Sequence, residues 1–207
     1  IQLADYRIRY ASYRGDPDLM RLHQLQPMIV QWDDHESAND SWEGGAQNHS
    51  PKTEGDWNPR RAASIQAYRE WMPVSDEPWK AYDIGGLATL FRTETRVLAR
   101  TEQPDVAALF KASDPAAALK AFHDGAWQDP GATMMGSQQE VWLSHGIRDS
   151  VKAGRRWQVV GFGTIMGDTA MPAEAVGWID AASDPRARGY ILSVSYTHLT
   201  LPTIYSV

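Results

Sequence analysis

A chain of 207 residues is long enough for one domain with a sizeable core, and at 43% apolar and 22% charged its composition is that of an ordinary globular protein. The formal charge of −6, with no basic block, argues against a nucleic-acid surface, and no apolar run approaches the ~20 residues of a membrane span. The absence of Cys excludes a disulfide framework and a thiolate ligand, while nine Trp and eight Tyr promise a bulky aromatic core or a stacking site.

Leu3, Tyr6, Tyr10 and Tyr13 recur at helical spacing and predict a helix over 3–14 that ends at Gly15. Asp16 then caps a second helix with Pro17 at its first position and Leu19, Leu22 and Leu25 along it, and Pro27 stops it. Met28 to Trp32 reads as a short buried strand that runs straight into Asp33-Asp34-His35-Glu36. A strand that delivers carboxylates and an imidazole to its carboxyl end is a common way to build a metal or phosphate site. Residues 37–56 are polar, lack periodicity and exceed a routine connection, so their position favours a functional loop. Asn39-Asp40 is read as organising that loop through side-chain bonds to backbone.

Asn58 as cap and Pro59 after it predict the next helix, with Ala62, Ile65, Tyr68 and Met72 as its apolar stripe. Trp79–Ile84 and Leu87–Thr93 form a predicted hairpin around Gly85-Gly86. Helical stretches follow at 106–111 and 116–122, the second started by Asp114-Pro115. Ser137 to Glu140 spells a capping box for a helix that buries Leu143, Ile147 and Val151. Trp157–Phe162 is the next buried strand and Ala173–Ala182 a further helix. Strands alternating with helices predict a layered α/β domain.

Hydrolysis of a phosphate ester needs a water deprotonated near neutral pH, negative charge neutralised and a leaving oxygen stabilised; two metal ions can supply all of this. Asp34 is read as a metal ligand. His35, facing the other way on an extended chain, is read as the group that meets the leaving oxygen. A solvated turn is the plain alternative, and Asp33 and Glu36 are read as local caps or partners. His49 is expected to face solvent, and His23, His123 and His145 to be structural or exposed. Arg60 and Arg61 are expected in a solvated first turn, with a phosphate contact as the alternative. No Walker loop, dinucleotide fingerprint, nucleophile elbow or zinc-protease motif is present.

LADYRIRY (3–10), DPDLMRLH (16–23), WDDHE (32–36), GGAQNHSP (44–51), EGDW (54–57), AYREWMP (67–73), MMGSQQEVWL (134–143) and RRWQVVG (155–161) occur in this order. The series resembles the PhoD-like alkaline phosphatases, a branch of the calcineurin-like metallophosphoesterases. The resemblance implies part of an αββα sandwich, two central sheets flanked by helices, over 1–193 and truncated at both ends. It implies hydrolysis of small-molecule phosphate mono- or diesters by the intact parent, with metal ions such as iron with calcium, and a periplasmic or extracellular location. WDDHE stands where metallophosphoesterases carry Gly-Asn-His-Glu/Asp, so Asp34 matches the metal-ligand position and His35 the catalytic imidazole. Asp33 matches no ligand. The family's other ligand motifs are expected before Leu3 and after Ser193, so the fragment by itself is expected to be inactive. Val194–Val207, VSYTHLTLPTIYSV, resembles the translation of a transposon-end sequencing adapter and is read as non-native. The alternative function is an aromatic-rich, non-catalytic binding domain, for instance for carbohydrate, with structural calcium only.

Overall fold

The computed structural model describes residues 1–164; the predicted helix at 173–182 and the adapter-like stretch lie outside them. Ile1–Glu102 with Thr133–Gly163 make one compact unit, which carries every residue of the site below. Gln103–Ala132 belong to a second unit, containing the helices Val106–Leu109 and Pro115–Asp124. Asp114 caps the latter by accepting the Ala117 amide, as its sequence suggests.

In the first unit, α1 (Leu3–Arg14) and α2 (Pro17–Leu25) fall where predicted, and Asp16 accepts the amides of Asp18 and Leu19. A one-turn helix, α3 (Pro51–Glu54), interrupts the long loop. The next helix, α4 (Trp57–Trp71), starts earlier than read: its cap is Asp56, not Asn58. Its buried residues are Trp57, Arg60, Ser64, Ala67 and Tyr68. Of the predicted stripe, Tyr68 is buried, Ile65 and Met72 pack partly buried against the Trp32–Tyr68–Val97 cluster, and Ala62 is exposed. Helix α1 lies along α4, tied by Arg7 donating to both carboxylate oxygens of Glu70.

Three strands form one mixed sheet in the order β1 (Lys80–Ile84), β2 (Ala88–Arg92), β3 (Trp157–Gly161). β1 and β2 are the predicted antiparallel hairpin, and Gly85 at φ 54° takes the left-handed turn position that suits glycine. β3 pairs parallel to β2 from Ala88↔Trp157 to Arg92↔Gly161. The long helix of the β2–β3 connection (Ser137–Lys152, α7 once the helices of the second unit are numbered α5 and α6) packs on β2 through Phe91. The Phe91 ring meets Trp142 edge-on at 5.8 Å, and a Cβ on Gly146 would stand 2.6 Å from it, so the close approach depends on glycine there.

Several sequence expectations are corrected. Met28–Trp32 is not a strand: no described strand lies beside it to complete a ladder, and Met28 and Ile29 are exposed. It is anchored instead by Gln31 Nε2, which donates to the Thr93 carbonyl at 3.0 Å. The capping box at Ser137 does not form; Gly136 is the cap, and Glu140 instead accepts the Thr133 hydroxyl. In α7, Leu143 is buried as read, but Val151 is exposed and Gln139 is among the most buried residues.

The chain from Phe91 to Val97 is buried throughout although it carries Arg92, Glu94 and Arg96. Such a run is tolerable only if each polar group is paired. The Gln139 side chain meets Glu94 as a neighbouring strand would: its Oε1 accepts the Glu94 N–H at 2.8 Å and its Nε2 donates to the Glu94 carbonyl at 2.7 Å. Glu94 Oε1 in turn accepts the amides of Arg96 and Val97, and Oε2 that of Leu98, at 2.8–3.0 Å. This sets the turn that follows β2. Replacing Gln139 by Leu keeps the volume and strands both Glu94 backbone groups. The expected cost is about 2–4 kcal/mol, since each unsatisfied buried group costs about 1–3. Urea unfolding should show it as a lower midpoint at unchanged m-value.

Candidate metal centre

The residues after Trp32 form a tight turn, not an extended chain. The amides of Ser37 and Ala38 both donate to the Asp34 carbonyl at 2.9 Å, and Glu36 reaches back to accept the Asp33 N–H at 2.7 Å. Glu36 thus has the capping role expected of it. Asp34 is buried and its Oδ2 accepts the Asp40 N–H at 2.7 Å. Asp40 sits at φ 46°, a left-handed conformation that short acidic side chains tolerate better than most. The backbone twist at Asp40 therefore serves the amide that holds Asp34.

The turn folds His35 back over its neighbours, which corrects the expectation that it faces away from Asp34. Its Nδ1 lies 3.1 Å from Asp33 Oδ2 and 3.2 Å from Asp34 Oδ1, while the ring is 74% exposed. One donor atom from each of Asp33, Asp34 and His35 lies within 4.8 Å of the others. Asp33, left out on sequence grounds, therefore joins the two residues that were singled out.

Sequence reading missed the cation of the site. Arg96, only 8% exposed at its side chain, places Nη2 3.2 Å from Asp33 Oδ1 and 3.8 Å from Asp34 Oδ1, and Nη1 4.0 Å from Asp40 Oδ1. Its Nε donates to the Gly163 carbonyl at 3.0 Å. The signal was present: an apolar strand ending in a charged run, Arg92-Thr93-Glu94-Thr95-Arg96, as at Trp32. Because β2 and β3 are parallel, the turn after β2 and Gly163 after β3 meet beyond the same sheet edge. The carboxyl edge of parallel strands is where α/β proteins place their sites.

The charges shift one another. Burial raises the Asp34 carboxyl above the usual carboxylate range, against the opposing Arg96 charge. Burial also raises Asp33, but hydrogen bonding with Asp34 and His35 and the charge of Arg96 outweigh it, so Asp33 is held low. The hydrogen bond to Asp33, then the Asp34 charge, raises the His35 imidazole above 6.5. Arg100, buried and repelled by Arg96, is pushed down to about 10 and stays protonated at neutral pH.

The long loop is packed against this turn. His49 is not solvent-facing: its side chain is 1% exposed. Nε2 lies 3.1 Å from the Gly55 carbonyl and must donate to it, which leaves Nδ1 to accept from Arg60 Nη1 at 3.2 Å. Arg60 is buried rather than solvated; it also contacts Glu54 and, through Nε, the Tyr6 hydroxyl, which donates to the Ser37 carbonyl at 2.6 Å. Arg61 donates to the carbonyls of Glu43 and Val97. These bonds occupy both arginines with the loop. Asn39 ties the loop through bonds between side chains, donating to the carboxylate of Asp40 and the amide oxygen of Gln47, rather than through the side-chain to backbone bonds expected. His123 and His145 are exposed and His23 is half-buried.

Residues 1–195 match the family described as PhoD-like phosphatase. The chain belongs to that family. It is 31% identical over 169 residues to alkaline phosphatase D of Bacillus subtilis (strain 168), a match covering 77% of this chain and 26% of the relative. A solved structure described as "Structure of PhoD" superposes with a TM-score of 0.60 at 28% identity, over 77% of this chain and 29% of that one. The PhoD-like chain thus spans less than a third of either relative. Its cluster suits a hard or borderline metal ion by donor chemistry, carboxylate oxygen and imidazole nitrogen without thiolate, and supplies part of a coordination shell.

In this PhoD-like chain, the Asp33 contact should be visible in the His35 titration. Freed of metal by chelator, the His35 imidazole is expected to titrate above 6.5 by NMR and to move back towards it in Asp33→Asn. The sign follows: a raised imidazole pKa stabilises the folded state below the unfolded value, and that stabilisation fades as pH rises through the folded one. An unchanged titration in Asp33→Asn would show that the contact does not hold in solution.

Proposed function

We propose that the intact parent of this chain hydrolyses phosphate esters at the Asp33–Asp34–His35 cluster. The observation that carries the reading is the convergence of these donors beside the carboxyl edge of the β2–β3 pair, in a chain of the PhoD-like family. Asp34, buried and oriented by the Asp40 amide, would hold a metal ion, and Asp33 is the second carboxylate within reach. A bound metal ion would acidify a water and offset phosphoryl charge.

The remaining chemistry belongs to the chain itself. His35 keeps Nδ1 against the two carboxylates, which leaves Nε2 for the substrate side of an exposed ring. With its pKa raised, the imidazole takes up a proton more readily than a free one, and in this reading it gives that proton to the leaving alkoxide. Asp33 orients the ring and stabilises its charged form. The loop at 37–56, fixed by Arg60, Arg61 and His49, borders the cluster. The family resemblance extends the reading to mono- or diester substrates, iron with calcium as the metals, a two-sheet sandwich in the parent and a location outside the cytoplasm. No helix among the described residues is long and apolar enough to cross a membrane. The carbohydrate-binder reading calls for a cluster of exposed indoles; among the described residues Trp157 is the one classed as exposed, while Trp32 and Trp57 are buried.

In the intact parent, Asp34→Asn should lower metal occupancy. His35→Ala should retain metal and lose about 10²–10⁴-fold in turnover, the usual worth of general acid–base help. Metal analysis beside aryl-phosphate kinetics decides it, and wild-type turnover in His35→Ala would sink the assignment. The 207-residue chain alone, whose described residues offer one such cluster, is expected to show no metal-dependent turnover.

A further inference from the structure

Arg96 places a guanidinium nitrogen 3.2 Å from an Asp33 carboxylate oxygen, and it is not free to leave. Its backbone N–H is held by Glu94, which is itself clamped by Gln139 from α7. Its Nε is held by Gly163, and the side chain is almost wholly removed from water. Two nitrogens of the same guanidinium face three carboxylates, those of Asp33, Asp34 and Asp40. The two carboxylates nearest it each turn one oxygen to Arg96 and share the proton-bearing face of His35.

We propose that Arg96 is the resident counter-cation of the Asp33–Asp34 pair, a positioning residue that keeps the two carboxylates together and sets how strongly a divalent cation binds them. The inference rests on the metal reading above. Two carboxylates side by side repel, and a low-dielectric setting strengthens the repulsion. A fixed positive charge relieves it, so the pair stays assembled without a metal ion. The same charge repels an incoming cation and holds its affinity down. Arginine suits the task because its planar fork presents several donors at once and remains charged when buried; lysine offers the charge without the fork.

The experiment compares the 207-residue chain with Arg96→Met, Arg96→Lys and the double variant Arg96→Met with Asp33→Asn. Melting is followed in EDTA and against a Mn²⁺ titration, since a ligand of the folded state raises the melting temperature by mass action. Arg7→Gln, which removes an exposed ion pair between helices, is the control for a purely structural loss. Arg96→Met should melt lower than wild type in EDTA yet reach half-saturation at a Mn²⁺ concentration at least threefold lower. Arg96→Lys, which keeps the charge without the fork, should fall between Arg96→Met and wild type in both readouts. The double variant should recover part of the EDTA loss and forfeit the gain in Mn²⁺ response. Arg7→Gln should shift melting without moving the Mn²⁺ half-saturation.

If Arg96→Met is insoluble, a soluble double variant supports the proposal and an equally insoluble one overturns it. Wild-type melting of Arg96→Met in EDTA, or a Mn²⁺ half-saturation that is unchanged or weaker, also overturns it. Those results would leave the phosphoesterase reading intact, because that reading stands or falls on the His35→Ala kinetics of the parent, which do not involve Arg96.

Discussion

A carboxylate and a guanidinium buried two residues apart impose the constraint on which the rest of the first unit depends. Glu94 and Arg96 both lie in a segment removed from water. An unpaired buried charge would cost more than a domain of this size can spare. Each is therefore given partners from several directions. Glu94 takes backbone amides from the turn after it, and Arg96 takes the Gly163 carbonyl and the carboxylates beside it. Burial raises the Glu94 carboxyl, and the amide bonds with the charge of Arg96 oppose that rise.

This constraint links scaffold to site. Gln139 lies on α7, α7 packs on β2, and the turn after β2 carries Arg96 to the carboxylates. From the other side, Trp32 packs edge-on against Tyr68 of α4 at 4.8 Å, beside Val97, so the residue before the acidic turn is fixed by the same core. Arg61 ties the Val97 carbonyl to α4 as well. The apolar core of this unit is small, and polar clamps position its loops. The site inherits its order from those clamps rather than from a strand leading into it.

The divided strength of the two carboxylates follows from this placement. Asp34 is buried and bound by a backbone amide, whereas Asp33 is half exposed and faces Arg96 and His35. Burial acts on both, but the partners of Asp33 win where those of Asp34 do not. Neighbouring groups whose environments push their pKa values apart are a recurrent arrangement at reactive sites.

Local chemistry was legible in the chain wherever it depends on neighbours in sequence. The α1 and α2 boundaries, the Asp16 and Asp114 caps and the hairpin at Gly85 follow from spacing, capping oxygens and turn residues a few positions apart. Asp34 and His35 were legible as a charged pair and, by resemblance, as candidate site residues. What only the tertiary structure decided was where those groups point and what meets them. Met28–Trp32 has the composition of a strand but lacks a described neighbour to bond with. Ser137 and Glu140 have capping-box spacing, yet Thr133 takes the glutamate. His49 reads as an exposed loop residue but is enclosed by Trp57, Arg60 and the Gly55 carbonyl. Arg96 lies 63 positions from Asp33 in sequence, and only the parallel pairing of β2 with β3 and the Gln139 clamp bring its charge to the acidic turn. A propensity is a property of a few adjacent residues, whereas a buried charge is placed by whatever distant groups can pair with it.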